Sequence, residues 1–125
     1  PVRDRYAVTH EHVFHFTRSR YYFFDKSQVG TTNAAGRIIP PSDTWIVPVS
    51  KGASRGSKEH KASYPEELVR IPIDATTPVN GVVLDPFMGS GTTLRFARSR
   101  GFRSIGIDLN EEFCEMAVKL MKENR

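Results

Sequence analysis

Only one cysteine, Cys114, is present in the chain. A lone thiol closes no internal disulfide, which suits a reducing compartment and leaves the fold to packing and hydrogen bonding. No apolar run approaches the roughly 20 residues that span a bilayer, and no signal-peptide pattern opens the chain, so no membrane partner is expected. The chain opens on Pro1 rather than methionine, and a fragment or a processed piece is the expectation. There is no internal repeat. Acidic side chains are the scarcer charged class, with 14 Asp and Glu against 18 Lys and Arg, a net charge of +4. That balance mildly favours a polyanionic partner, although many basic proteins bind no nucleic acid. What remains, 38% hydrophobic and 26% charged residues over 125 positions, is ordinary globular composition for one domain with one core.

Along the chain three stretches differ in character. Residues 9–24 are rich in β-branched and aromatic types, with Arg18-Ser19 between two such runs, which predicts a β-hairpin. Residues 26–63 are polar, with Gly30, Gly36, Gly52, Gly56 and Pro40-Pro41; Trp45-Ile46-Val47 is their apolar island. A long loop is expected there, and loops of such length usually carry function. Residues 64–125 alternate helix and strand. Ser63 and Glu66 have capping-box spacing, Pro65 suits a first helical position, and Glu66 and Glu67 favour the positive end of the helix. Pro72 should end or kink that helix. Val82-Val83-Leu84 reads as a short buried strand, residues 85–91 as a turn, and residues 92–100 as a helix stopped at Gly101. Ser104-Ile105-Gly106-Ile107 is the next strand. Asn110 then caps a final helix whose apolar face is Phe113, Met116, Ala117, Leu120 and Met121, with Cys114 off it. This order predicts a parallel α/β sheet with a right-handed crossover.

The sharpest feature is Asp85-Pro86-Phe87-Met88-Gly89-Ser90-Gly91-Thr92-Thr93, set after a strand and before a helix. Glycines at 89 and 91 allow a tight turn and close approach to a ligand, beside the free amides of a helix N-terminus. A second acid, Asp108, ends the next strand, about the 20 residues beyond the glycines at which dinucleotide-binding folds place a ribose-binding acid. An adenosine-containing ligand is therefore implied. A phosphate-binding loop would need a lysine after Gly91, where Thr92 stands, and the third glycine of nicotinamide binders is replaced by Leu94. A cradle opened by Asp85 suits an ammonium or sulfonium charge better than a pyrophosphate.

This nine-residue stretch resembles the S-adenosylmethionine-binding motif of DNA amino-methyltransferases, which make N4-methylcytosine or N6-methyladenine. His60-Lys61-Ala62-Ser63-Tyr64-Pro65-Glu66-Glu67-Leu68-Val69 resembles the family's segment just before the cradle, and Ile105-Gly106-Ile107-Asp108-Leu109-Asn110 the segment whose acid binds the ribose. Asp4-Arg5, residues 9–16 and Tyr21-Tyr22-Phe23-Phe24-Asp25 resemble a late hairpin near the flipped base. The order resembles the permuted class, in which catalysis comes first and cofactor binding last.

The resemblance implies a doubly wound, Rossmann-like α/β methyltransferase fold, present only in part. Residues 1–25 would be the hairpin of the catalytic region, 26–63 a target-recognition loop and 64–125 the cofactor-binding βαβα unit. It implies S-adenosylmethionine held by Asp85, Pro86, Phe87, Gly89, Ser90, Gly91, Thr92 and Asp108, with Tyr64, Pro65 and His60 beside it. His60 reads equally well as a solvated loop histidine, and Asp108 also suits a helix start. Lys51, Arg55, Lys58 and Lys61 read as a solvated loop by default; in the family's recognition region they would meet DNA phosphates. His10, His12 and His15 are expected on alternating strand faces, not on a metal.

The family's catalytic motif, Ser, Asp or Asn followed by Pro-Pro-aromatic, is not found. Ile39-Pro40-Pro41-Ser42 lacks both flanking types and reads as a turn. No catalytic residue is expected in this chain, which would act with a missing N-terminal half or a second chain. The resemblance implies a cytoplasmic setting in a bacterium, archaeon or phage, with double-stranded DNA as partner. An incomplete sheet also allows self-association. The rival readings are a non-catalytic binding module and a methyltransferase for RNA or protein.

Overall fold

The computed structural model describes residues 10–48 and 64–123. Within the second stretch, strands β3 (Val82–Asp85) and β4 (Arg103–Gly106) pair in parallel, with Val82 opposite Arg103 and Asp85 opposite Gly106. Helix α2 (Thr92–Ser99) crosses between them and packs on both. Gly101, at φ 79°, ends it. The Phe102 amide donates to Ala97 O and the Gly101 amide to Arg98 O, both at 2.9 Å, so the orphan carbonyls of the last turn are satisfied in a Schellman motif. Helix α3 (Glu111–Glu123) starts as expected at Asn110, whose Oδ1 accepts from the Glu112 amide at 2.9 Å.

Helix α1 (Glu66–Thr76) differs from expectation at its start, and Pro72 does not stop it. Pro65 is extended (φ −72°, ψ 153°) and takes the N-cap position, one residue earlier than the first helical turn, with no side-chain cap. Ser63 lies outside the described residues. Pro72 does not end the helix, which runs on to Thr76. Its missing N–H removes one rung of the ladder, and tertiary contacts hold the rest. Buried Asp74 accepts from Arg100 Nε at 2.8 Å, tying the end of α1 to the end of α2.

The core is Met88, Leu94 and Ala117, with Cys114 and Met121 packed against it. Cys114 therefore lies on the inner face of α3, contrary to expectation: it sits one turn before Ala117, and the apolar stripe is wider than the sequence spacing indicated. The strand expected to be buried is open on one side. Val82 and Leu84 are 46% and 58% exposed, and Ile105 of β4 is 54% exposed. Val83 and Asp85, which alternate with them, are half-buried, and the end of α1 meets Val82 and Leu84 only across an open cleft.

In the first stretch, residues 10–25 form no strand. The chain bends over residues 18–20 and doubles back, and the rings keep the alternation expected of a hairpin. His10 neighbours His12 at 5.1 Å and Phe14 neighbours Phe16 at 6.1 Å, while His15 faces Tyr22 across the bend at 5.4 Å. The reversal is present and the backbone ladder is not, because an isolated two-stranded ribbon is marginal in water. Asp25 anchors the returning arm: its amide donates to Ala75 O at 2.8 Å. Its carboxylate caps the 3₁₀ turn Lys26–Gln28 through the Ser27 hydroxyl and amide, bonds that hold the carboxyl below its usual range.

The long loop contains a minimal antiparallel hairpin that sequence reading missed. Strand β1 (Thr31–Thr32) pairs with β2 (Ile38–Ile39). Asn33 Oδ1 closes the turn by accepting from the Ala35 and Arg37 amides, and Gly36 supplies the left-handed residue at φ 74°. The signal was Asn33 and Gly36 between two β-branched pairs.

Candidate cofactor-binding site

The site grows from the carboxyl end of β3. The parallel ladder runs past the strands: the Ile107 amide donates to Asp85 O at 2.9 Å, and the Met88 amide donates to Ile107 O at 3.0 Å. The turn is therefore stitched to the chain leaving β4. Met88 is 8% exposed and plugs the turn into the core. Gly89 (φ 50°) and Gly91 (φ 82°) supply the left-handed geometry that L side chains resist. Their surroundings differ. A Cβ on Gly89 would meet nothing within 4 Å, so space lies open over it, whereas one on Gly91 would stand 3.0 Å from Ala117 Cβ. Gly91 thus serves the approach of α2 to α3.

Leu94 stands where a dinucleotide-binding loop has its third glycine. The room is made instead on the strand: a Cβ on Gly106 would collide with Met88 Sδ and lie 2.6 Å from Leu94 Cδ2. A glycine inside a strand pattern marks close approach, and that was the signal for this residue.

Two carboxylates flank the turn. Asp85 Oδ1 accepts from the Phe87 amide at 3.0 Å, and Oδ2 accepts from the Tyr64 hydroxyl at 3.2 Å. The same hydroxyl stands 2.5 Å from Thr93 Oγ1. Asp108 reaches back across the strand end: Oδ2 accepts from the Gly89 amide and Oδ1 from the Asn110 amide, both at 2.9 Å. Tyr64 is half-buried, and burial pushes its hydroxyl above the ordinary tyrosine range; the Thr93 bond opposes this and the Asp85 charge adds to it.

The predicted residues are thus partly assembled. Asp85, Gly89 and Asp108 surround the turn, with Tyr64 bonded to Asp85. Ser90 and Pro65 are half-buried, while Pro86 and Phe87 are exposed, Phe87 at 85%. Thr92 is buried, 5% exposed. Gly91, the N-cap of α2, makes no side-chain cap bond, and in the first turn the Thr93 amide is directed at the Tyr64 hydroxyl. His60, Lys51, Arg55, Lys58 and Lys61 lie outside the described residues. Thr93 and Gly106 were missed by sequence reading. Two clefts, one of about 310 Å³ at Glu66, Arg95, Arg98 and Met121 and one of about 270 Å³ at Ile73, Thr76, Pro78 and Leu84, are lined by none of the turn residues. Among the described residues no cluster of His, Cys, Asp or Glu is placed to hold a metal, and no helix is long and apolar enough to cross a membrane.

A strand, a glycine turn between two acids and a following helix is a framework that many enzymes share. The decisive observation is that a DNA methylase family model matches residues 1–119, both arm and cradle. The chain belongs to the DNA amino-methyltransferase family. This methyltransferase-family chain is 44% identical over 82 residues to the Type II methyltransferase M.ScaI of Streptomyces caespitosus, covering 62% of the chain and 27% of that protein. It is 34% identical over 117 residues to the Type II methyltransferase M.XycI of Xanthomonas campestris pv. cyanopsidis, covering 94% of the chain and 38% of the relative. The solved M1.HpyAVI–SAM complex superposes with a TM-score of 0.50 at 30% identity, over 66% of the chain and 42% of that structure. The fold is that of a Rossmann-like methyltransferase, in part. The chain spans well under half the length of the proteins it matches.

Proposed function

We propose that this chain holds S-adenosylmethionine at the turn between β3 and α2. On this reading it is the C-terminal, cofactor-binding part of a site-specific DNA methyltransferase. The observation that carries the reading is a glycine turn with open space over Gly89, bounded by Asp85 at the end of β3 and Asp108 two residues past β4. Two carboxylates and no lysine in the turn suit a cationic adenosine derivative and repel a pyrophosphate. When bound, the cofactor supplies a methyl group on a positively charged sulfur.

Asp85 sets a negative charge near the ammonium and sulfonium end. Ser90 offers a backbone donor beside the open space over Gly89, whose own amide is held by Asp108; Asp108 keeps acceptor capacity for ribose hydroxyls, and Phe87 offers an exposed ring as an apolar wall. Pro65 and His60 belong to the segment that borders the methionine end.

Methyl transfer needs a second set of groups, which accept hydrogen bonds from the target amino group and stack on the flipped base. Pro40-Pro41 does not provide them. Ser42 beside it is engaged in a local turn, accepting the Thr44 amide at 3.1 Å through Oγ and the Trp45 indole N–H at 2.7 Å through its carbonyl. The chain alone is therefore inactive on this reading, and an upstream segment or a second polypeptide completes it. The complete enzyme methylates cytosine N4 or adenine N6 in duplex DNA, in the cytoplasm of a bacterium or archaeon or in a phage-infected cell. Lys51, Arg55, Lys58 and Lys61 contact phosphates from the recognition loop.

Calorimetric titration with S-adenosylmethionine tests the cofactor assignment. Heat from the wild-type chain that Asp85→Ala abolishes supports it. A folded wild-type chain that gives no heat overturns it.

A further inference from the structure

We propose that Tyr64 is a positioning residue whose hydroxyl relays a directed hydrogen-bond chain from Thr93 to Asp85, fixing the carboxylate that meets the cationic end of the cofactor. This rests on the reading of the cradle given above. It assigns Tyr64 a role through Asp85 rather than as a pocket lining.

The direction of the chain follows from counting protons. An ionised Asp85 can only accept, so the single Tyr64 proton goes to Oδ2, 3.2 Å away. Tyr64 then has only lone pairs left for Thr93, and the Thr93 hydroxyl must be the donor across 2.5 Å. Thr93 is 7% exposed in the first turn of α2, and Tyr64 directly precedes Pro65, the N-cap of α1. One carboxylate is thus held from three places: the α2 first turn and the segment before α1 fix Oδ2, while the Phe87 amide fixes Oδ1 at 3.0 Å. An aspartate rotates freely about χ2 when only one oxygen is bound, because that terminal torsion is broad and soft. Held at both oxygens, it presents its remaining lone pairs in one orientation before any ligand arrives, which lowers the ordering cost of binding. A phenylalanine would fill the same space and leave Oδ2 to water.

Four variants test this by calorimetry with S-adenosylmethionine, with thermal unfolding followed in parallel. Tyr64→Phe is expected to weaken binding by roughly tenfold, the scale of one hydrogen bond to a charged group. Thr93→Val, which keeps the shape and loses the donor, should cost about threefold, and Thr93→Ser, which restores the donor, should bind within about twofold of wild type. Because the chain acts as one unit, Tyr64→Phe with Thr93→Val should bind no more weakly than Tyr64→Phe alone. A merely structural role would instead give additive losses that follow the melting temperature. If Tyr64→Phe does not fold, the Thr93→Val and Thr93→Ser pair still decides the matter. Wild-type binding with Thr93→Ser as weak as Thr93→Val, or with Tyr64→Phe unchanged, overturns the inference and leaves the cofactor site standing. No heat from the folded wild-type chain overturns both.

Discussion

The aromatic arm at residues 10–25 and the α/β unit at residues 64–123 are both apolar enough to pack, yet they end differently. In the arm Phe14, Phe16 and Tyr21 are 72%, 86% and 85% exposed. In the α/β unit Phe96, Leu94 and Ala97 are buried. The difference lies in who satisfies the backbone. A helix closes its own hydrogen bonds and needs a partner only for one face, whereas a strand needs a neighbour for its backbone as well. Helix α2 finds that partner in α1, β3 and β4, and α3 lays Ala117 against Leu94 and Met88. The arm has no ladder partner among the described residues, and its rings pair with neighbouring rings and, at Tyr21, with the Arg20 guanidinium. The same lesson holds inside the α/β unit, where β3 and β4 bury the side facing α2 and leave Val82, Leu84 and Ile105 open.

The comparison breaks most sharply at Gly106. Gly106→Val would drive a side chain into Met88 and Leu94, and about 3 kcal/mol of destabilisation is expected, enough to lower the melting temperature visibly by circular dichroism. An unchanged melting temperature would mean that α2 does not pack on β4 as described. A smaller effect is expected at Tyr64. Its hydroxyl lies above the ordinary range chiefly because of burial, so the folded state favours the neutral form. The stability this contributes is present below pH 10 and is lost as pH rises through the higher folded value. Absorbance titration should show a late-ionising component that disappears in Tyr64→Phe, and loss of folding at high pH should be delayed in that variant. The arm should respond least. Phe16→Ser removes an exposed ring and is expected to shift stability by no more than about 0.5 kcal/mol. A large loss by thermal unfolding would show that the arm is packed after all.

Much of the cradle is legible in the sequence because its determinants are local. The strand–turn–helix order follows from β-branched residues, two glycines and a helix-forming run within a dozen positions. Asn110 and Gly101 mark a helix start and a helix stop through bonds that span only a few residues. The hairpin at residues 9–24 was misjudged for the opposite reason, since alternation of apolar types says which way rings point but not whether a ladder forms. Of the two outcomes expected at Pro72, an end or a kink, the end does not occur, because the packing of buried Ile73, Asp74 and Ala75 outweighs one lost hydrogen bond.

By itself, then, the sequence determined the family and the βαβα order, which rest on residue types at short spacing. Which acid holds which amide was decided only by tertiary structure. Asp108 reaches Gly89 and Tyr64 reaches Asp85 across gaps that no local rule spans. The missing side chain of Gly106 acquires its meaning only when Leu94 arrives from another element. Contacts between distant positions depend on how the elements pack, and packing is a property of the whole assembly of elements, not of any one stretch of chain.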